Sequence, residues 1–131
     1  MKTILFICLA FVMLACNTNN VDEAMEESNI LKGNKYPALS WEEIHDDGSV
    51  VSQSFTNGDY MEFLETECNV NSQPNYTTYN VVYYADSIKV GNAKYGIHVN
   101  ANTIYLERNT VSGFDDYQGK LRIILDKKTL N

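Results

Sequence analysis

The chain has 131 residues, of which 10 are Lys or Arg and 17 are Asp or Glu, so its formal net charge at pH 7 is −7. An acidic chain is repelled by nucleic acids and by anionic lipid surfaces, which excludes both as electrostatic partners. Its length accommodates one small domain after a leader, and is too short for two.

The N-terminal segment has the layout of a secretory signal peptide. Lys2 precedes an apolar run from Ile4 to Ala15, which as a helix would span about 18 Å and is too short to cross a bilayer. We therefore predict that residues 1–15 are a signal peptide that is removed and contributes nothing to the fold. Because Lys2 is its only charged residue, cleavage leaves a mature chain with a net charge of −8.

The segment Met13-Leu14-Ala15-Cys16, which ends the apolar run, resembles the lipobox of bacterial lipoproteins. The resemblance implies that Cys16 becomes an acylated N-terminus, whose acyl chains hold the protein on a membrane without spanning it. Asn17 stands where Asp would be the inner-membrane retention signal in enterobacteria. This predicts an envelope lipoprotein of the outer membrane. It does not decide between the periplasmic face and the surface face of that membrane. The alternative is an ordinary signal peptide with an incidental Cys16.

Residues 16–35 are predicted to be a lipidated tether that includes a short helix. After a polar start, apolar residues recur at helical spacing from Val21 to Leu31. Acidic residues early in this stretch and Lys32 late in it complement the helix dipole, and Gly33 suits the position just past a helix C-terminus. The pattern predicts about two to three helical turns, with disorder as the alternative.

The rest of the chain, residues 36–131, is predicted to be one β domain. From Leu39 onward the period is two, and Asp46-Asp47-Gly48 and Asn57-Gly58 separate the strands LSWEEIH, SVVSQSF and YMEFLETECNV. After the loop NSQPN come the strands YTTYNVVYY, SIKVG, YGIHV and TIYLERN, and the longer loop TVSGFDDYQG leads to the final strand KLRIILDKK. The sequence thus predicts about eight strands.

Regularly spaced short strands predict an all-β antiparallel meander. Eight strands are enough to close a small barrel, whose interior is filled by side chains or holds one small ligand. We favour this closed or nearly closed eight-stranded barrel over a β-sandwich. Trp41 is expected to face inward, with Phe63, Val81, Ile104 and Ile123 as its core partners.

The pattern over roughly residues 30–128 resembles the lipocalin-like and related β-barrel lipoproteins of Bacteroidetes, which pass from an N-terminal helix or turn through a Trp-bearing first strand to meandering hairpins. The chain departs from that family because Gly33-Asn34-Lys35 lacks the tryptophan of its Gly-x-Trp opening, and Trp41 follows later. The resemblance implies a membrane-anchored, non-catalytic binding or scaffold barrel for a small apolar or amphipathic ligand.

The sequence carries no catalytic motif that we recognise. Cys68 is the only thiol of the mature chain besides Cys16, so no disulfide forms within the domain. A catalytic thiol needs a nearby base, and neither His45 nor His98 lies in a cysteine-hydrolase motif. We predict that the protein is not an enzyme and that it holds no cofactor and no transition metal.

Aromatic residues are the remaining signal, since the chain has nine tyrosines and one tryptophan. Trp41, Tyr83, Tyr84 and Tyr105 are candidate contacts for a small molecule, a glycan or a protein, unless these rings fill the core and its rim. They support a second class of function, a surface interaction module that is either a carbohydrate-binding accessory or a hydrolase inhibitor. The segment GNAKYG, residues 91–96, is faintly similar to the inhibitory loop of small lipoprotein barrels that inhibit lysozyme.

One covalent modification is also predicted. Asp86-Ser87-Ile88 matches the Asp-Ser/Thr-apolar acceptor pattern and so resembles the O-glycosylation sites of exported Bacteroidetes proteins. A glycan on Ser87 requires that this residue lie in an exposed turn.

Overall fold

A computed structural model describes residues 27–130, so the predicted signal peptide and Cys16 lie outside the described residues. Residues 27–29 are helical, and within the described range no helix has the length and apolar character needed to span a bilayer. The strands are β1 (Asn34–His45), β2 (Val50–Ser54), β3 (Tyr60–Phe63), β4 (Glu67–Ser72), β5 (Asn75–Tyr83), β6 (Ser87–Val90), β7 (Ala93–Val99), β8 (Thr103–Asn109) and β9 (Gly119–Asp126).

The strands form one antiparallel sheet that closes on itself. Its order is β2-β1-β3-β4-β5-β6-β7-β8-β9, and a further pairing between β1 and β9 completes the barrel. Eight strands, β1 and β3 to β9, make up the closed wall, while β2 is an additional strand on the edge of β1. The predicted all-β meander and the preference for a barrel are confirmed.

The structure corrects the strand boundaries in two places. The predicted strand YMEFLETECNV is two strands, β3 and β4, joined by a tight turn in which Leu64 N donates to Glu67 O at 2.8 Å. This turn was missed because Glu65 and Thr66 are not the Gly, Asn, Asp or Pro residues that normally indicate a turn. The first strand also begins at Asn34, five residues before the predicted start at Leu39.

A bulge in β1 changes which of its side chains face the interior. Ala38 pairs with Leu125 and Ser40 pairs with the adjacent Ile124, so Leu39 is the extra residue. Before the bulge the inward residues include Tyr36 and Ala38, which are buried in the core. Beyond it the residues that share the inward face of β9 are Trp41, Glu43 and His45. The interior is therefore apolar in its lower part and polar near the end of β1.

The lower end of the barrel, where β1 begins, is closed by the N-terminal segment. Leu31 is 0 % exposed and belongs to the main core cluster. The Tyr36 hydroxyl donates to Ile30 O, and Gly33 N donates to Phe63 O at 2.6 Å. Gly33 has a φ of +79° and lies in the turn that Asn34 N closes by donating to Leu31 O at 3.0 Å, four residues after the helix ends. A short helix before the barrel is confirmed at residues 27–29, and the rest of the predicted helix, from Val21, lies outside the described residues.

The buried apolar cluster includes most of the predicted core. Phe63 and Ile104 are 0 % exposed, Val81 is buried, and Ile123 packs against the cluster while partly exposed. Trp41 is opposite Ile123 in the β1–β9 register, so it faces inward, but it is only half-buried and lies outside that cluster. The predicted inward direction of Trp41 is therefore confirmed, whereas its predicted burial with the core residues is corrected, because its side chain is only half-buried.

We expect Leu31→Ala to lower the free energy of unfolding by about 3 kcal/mol, since it leaves a cavity under the barrel. Leu64→Ala, at a side chain that is 38 % exposed, should cost less than about 1 kcal/mol. Urea denaturation followed by Trp41 fluorescence measures both. Equal costs for the two variants would show that the N-terminal segment does not close the core.

Candidate interaction surface at the upper rim

The upper rim is the end of the barrel at which β1 and β8 finish and β9 begins. It comprises the turn at residues 46–49, the turns at 73–74 and 91–92, and the connection between β8 and β9 at residues 110–118, which we name the rim loop. The inward face of β1 contributes Glu43 and His45 here, and β8 contributes Arg108. Charged side chains thus stand where the apolar core ends.

Arg108 holds the rim loop through a bidentate ion pair. Its Nη1 and Nη2 donate to Oδ2 and Oδ1 of Asp115, each at 2.8 Å. The two side chains are only 9 % and 11 % exposed. A fork of two parallel hydrogen bonds fixes both the distance and the orientation of the partners. The pair therefore fixes Asp115 over the end of the barrel.

The hydrogen bonds from Arg108 hold the pKa of Asp115 at about 2, below the ordinary value of 3.8. A carboxyl whose pKa is lower in the folded chain stabilises the fold at pH values above its unfolded pKa. This contribution is full above about pH 4 and is lost as the pH falls toward about 2. The ion pair is consequently intact throughout the neutral range.

Further contacts fix the rest of the rim loop. Asp115 Oδ2 accepts from Val111 N at 2.8 Å, and Phe114 N donates to Val111 O at 3.1 Å. Tyr117 stacks on His45 with ring centroids 4.7 Å apart. Burial raises the pKa of Tyr117. The loop is thus ordered by main-chain, ionic and aromatic contacts together.

The tip of this ordered loop exposes apolar side chains. Phe114 is 80 % exposed, the largest value among the exposed large apolar residues of the described chain, and Val111 is 58 % exposed. A large aromatic side chain in water gains free energy when a partner buries it. Because the loop is already fixed, burying Phe114 would require little further ordering.

The four predicted aromatic contacts do not form one surface. Trp41 and Tyr83 face the interior, and the Tyr83 hydroxyl donates to Leu64 O at 2.6 Å. Burial raises the pKa of Tyr83. Tyr84 follows β5 and is 42 % exposed, with Lys94 Nζ 4.5 Å from its ring centroid. Tyr105 lies on β8 beneath Arg122, whose guanidinium carbon is 5.1 Å from the ring centroid.

An ion-pair network covers the outer wall near Tyr105. Arg122 donates to Glu107 Oε2 at 2.9 Å and to Glu42 Oε2 at 3.3 Å, and Lys120 donates to Glu107 Oε1 at 2.9 Å. These contacts lower the pKa of Glu107, although its partial burial opposes the shift. Tyr105 is therefore covered by its own neighbours and does not offer an open aromatic platform.

Ser87 lies in a different environment from the predicted one. It is the first residue of β6, is 5 % exposed, and its hydroxyl donates to Asp86 Oδ1 at 3.0 Å. The requirement that the acceptor lie in an exposed turn is not met in the folded chain. Attachment of a glycan would have to precede folding or accompany local opening of the strand.

Cys68 is a free thiol with 0 % exposure in the core. Burial, with a smaller contribution from Glu62, raises its pKa to about 12. The neutral thiol is a poor nucleophile. His98 is exposed on β7, and within residues 27–130 no three His, Cys, Asp or Glu side chains are grouped as metal ligands.

Two open depressions mark the outside of the barrel. One, of about 340 Å³, lies on the wall over Gly96 and is bordered by Ser87, Lys94 and Glu107. The other, of about 460 Å³, lies beside Asn102 and Lys127 at the lower end. Trp41, Tyr83 and Tyr105 line neither of them. The segment GNAKYG reaches the first depression through Lys94 and Gly96.

Sequence reasoning identified residues 110–118 only as a longer loop and missed the function of Arg108 and Asp115 in fixing it. The available signal was Phe114, a large aromatic residue among Gly, Ser and Asp in a turn-rich segment. The partner of Arg108 could not be read from spacing, because the loop geometry decides which acidic residue turns inward.

Comparison of the chain with protein-family models, with curated proteins and with solved structures finds no match.

We expect Asp115→Ala to lower the free energy of unfolding by about 3 kcal/mol, because it leaves Arg108 buried without its partner. Asp116→Ala, at the adjacent exposed residue, is the matched control and should change stability by less than about 0.5 kcal/mol. Urea denaturation at pH 7 measures the difference. The difference in the free energy of unfolding between the parent and Asp115→Ala should decrease as the pH falls toward about 2. A difference that does not change with pH would contradict the ion-pair explanation.

Proposed function

We propose that this protein is an envelope lipoprotein, anchored through acylated Cys16, whose barrel is a non-catalytic interaction module that binds a partner protein through the rim loop. The observation that carries the proposal is Phe114, exposed to 80 % on a loop that Arg108 and Asp115 hold in place. Exposed aromatic residues on rigid supports are the usual anchors of protein interfaces.

The position of the rim loop agrees with such a function. The chain enters the barrel at the lower end, where β1 begins, and the rim loop lies at the opposite end. The rim loop therefore lies at the end of the barrel opposite the point at which the tether to the proposed anchor joins it. The acidic residues Asp46, Asp47 and Asp116 are exposed on the same rim. They favour a partner with a basic surface around an apolar pocket.

Binding of a small apolar or amphipathic ligand inside the barrel is the second candidate. It is supported by Trp41 and Tyr79, which face inward but remain partly exposed near the upper rim. The lower interior is occupied by fully buried side chains such as Phe63, Ile104 and Leu125. This leaves the upper part of the barrel as the place for such a ligand. Mass spectrometry of extracts from the purified protein would identify one.

Photocrosslinking tests the rim loop. We expect p-benzoylphenylalanine in place of Phe114, in the full-length chain, to yield a protein adduct of discrete mass in the native envelope. The matched control carries the same group in place of Tyr76, which is 58 % exposed on β5, and should yield none. Excess unlabelled parent chain should compete the adduct away, whereas Phe114→Ser should not. Adducts of equal yield at both positions, or adducts to lipid alone, would refute the protein-docking proposal.

The anchor is tested separately. We expect Cys16→Ala to abolish lipid modification and to release the protein from the membrane fraction, because the thiol that accepts the lipid is removed. Cys8→Ser, within the predicted leader, is the control and should leave membrane attachment unchanged. Mass spectrometry of the mature N-terminus and membrane fractionation give the result. Normal processing and unchanged fractionation of Cys16→Ala would contradict the lipoprotein proposal.

A further inference from the structure

The outer edge of β2 is a candidate for strand addition. Among residues 27–130, β2 pairs with β1 alone and stands at the end of the sheet order. All five of its residues are exposed, including Val50 at 55 % and Val51 at 44 %. The β1–β2 hairpin therefore presents one side of β2 without a neighbouring strand in the described part of the chain.

Two main-chain hydrogen bonds to β1, one at each end of β2, show which way the N–H and C=O groups of β2 point. His45 N donates to Ser49 O and Phe55 N donates to Leu39 O, both at 2.9 Å. Main-chain groups alternate in direction along a strand, so the odd-numbered residues from 49 to 55 face β1. The N–H and C=O groups of Val50, Ser52 and Ser54 consequently point toward the free edge.

This edge lacks the features that normally prevent strand addition. Natural edge strands carry Lys, Pro, bulges or inward charges that block pairing. Residues 48–58, GSVVSQSFTNG, contain no charged residue and no proline. Two β-branched residues begin the strand, which favours an extended conformation. The edge is thus a regular, neutral template on an otherwise acidic molecule.

The charges near β2 favour antiparallel over parallel pairing of two copies of this edge. Each chain carries a formal charge of −7, with Asp46 and Asp47 in the turn just before β2. Antiparallel pairing puts the two acidic turns at opposite ends of a five-residue strand, about 17 Å apart, whereas parallel pairing would place them side by side. That separation exceeds the screening length of about 8 Å at physiological salt.

We propose that β2 pairs antiparallel with β2 of a second copy of this chain, centred on Ser52. In this register Ser52 faces Ser52 of the second copy and Val50 faces Ser54, so all three outward residues of each strand bond, with about six main-chain hydrogen bonds in total. No charged side chains oppose each other across the junction. A two-fold contact uses both edges, so the assembly stops at a dimer.

Ser52→Cys tests the register directly. Residues that exchange both hydrogen bonds have Cα atoms about 5.5 Å apart, within the range that a disulfide bridges. Gln53→Cys is the matched control, because its side chain lies on the other face of the strand and Val51 of the second copy stands opposite it. The parent chain shows how much disulfide-linked dimer forms through Cys8, Cys16 and Cys68 alone.

The full-length chains are oxidised in membranes with copper phenanthroline and separated on non-reducing gels. We expect Ser52→Cys to give at least ten times more reducible dimer than Gln53→Cys or the parent. Dimer at the parent's level in Ser52→Cys, or equal dimer from both cysteine variants, would overturn the proposal.

A second measurement uses no new thiol. Ser52→Pro removes an outward N–H and leaves the bonds from β2 to β1 in place, and proline is tolerated on edge strands. We expect the detergent-solubilised parent to sediment as a dimer and Ser52→Pro as a monomer with a melting temperature near that of the parent. A parent that remains monomeric at all concentrations tested, or a folded Ser52→Pro that remains dimeric, would overturn the proposal.

Discussion

Closure of this barrel depends on one long strand. β1 hydrogen-bonds to β9 along one edge and to β3 and then β2 along the other, so three strands share it. The bulge at Leu39 changes the inward face partway along this strand. Below the bulge, β1 contributes Tyr36 and Ala38 to the core; above it, β1 contributes Glu43 and His45 to the rim. The polarity of the upper end therefore follows from the geometry of closure.

Gly119 lies at the junction between the rim loop and β9, the strand that closes the barrel against β1. It begins β9 with a φ of +147°, and a Cβ built on it would lie 1.9 Å from the main-chain oxygen of Ile44. A residue with a side chain could not bring β9 this close to the end of β1. Thr110 N donates to Gly119 O at 2.9 Å, and Gly119 N donates to Thr110 Oγ1 at 2.9 Å. Gly119 thus starts the closing strand and holds the first residue of the rim loop.

The turns could be predicted where they carry turn chemistry, as in Asp47-Gly48 and Asn57-Gly58, and the alternation of apolar residues predicted the buried positions of Phe63 and Ile104. Prediction failed where tertiary contacts decide the conformation. The Glu65-Thr66 turn has no local signal, and the Leu39 bulge depends on pairing with β9, which lies about eighty residues later in the chain. The inward direction of Trp41 was predicted correctly, but its partial exposure was not. The rim loop was predicted as a loop, but its fixed conformation was missed because it depends on Arg108, an interior charge that no periodicity reveals.

The two proposed contacts are small, and the proposed anchor would raise the effective concentration at which they form. Two five-residue strands and one loop tip each bury much less than the roughly 1,600 Å² of a standard protein interface, so either contact would be weak between freely diffusing molecules. Chains held on one membrane surface meet at an effective concentration that can reach the millimolar range. In the proposed β2 pair the two strands run antiparallel, so the upper rims of the two copies point in opposite directions. The two Phe114 side chains of such a dimer would therefore bind separate partners, and each contact would depend on the effective concentration at the membrane rather than on its area.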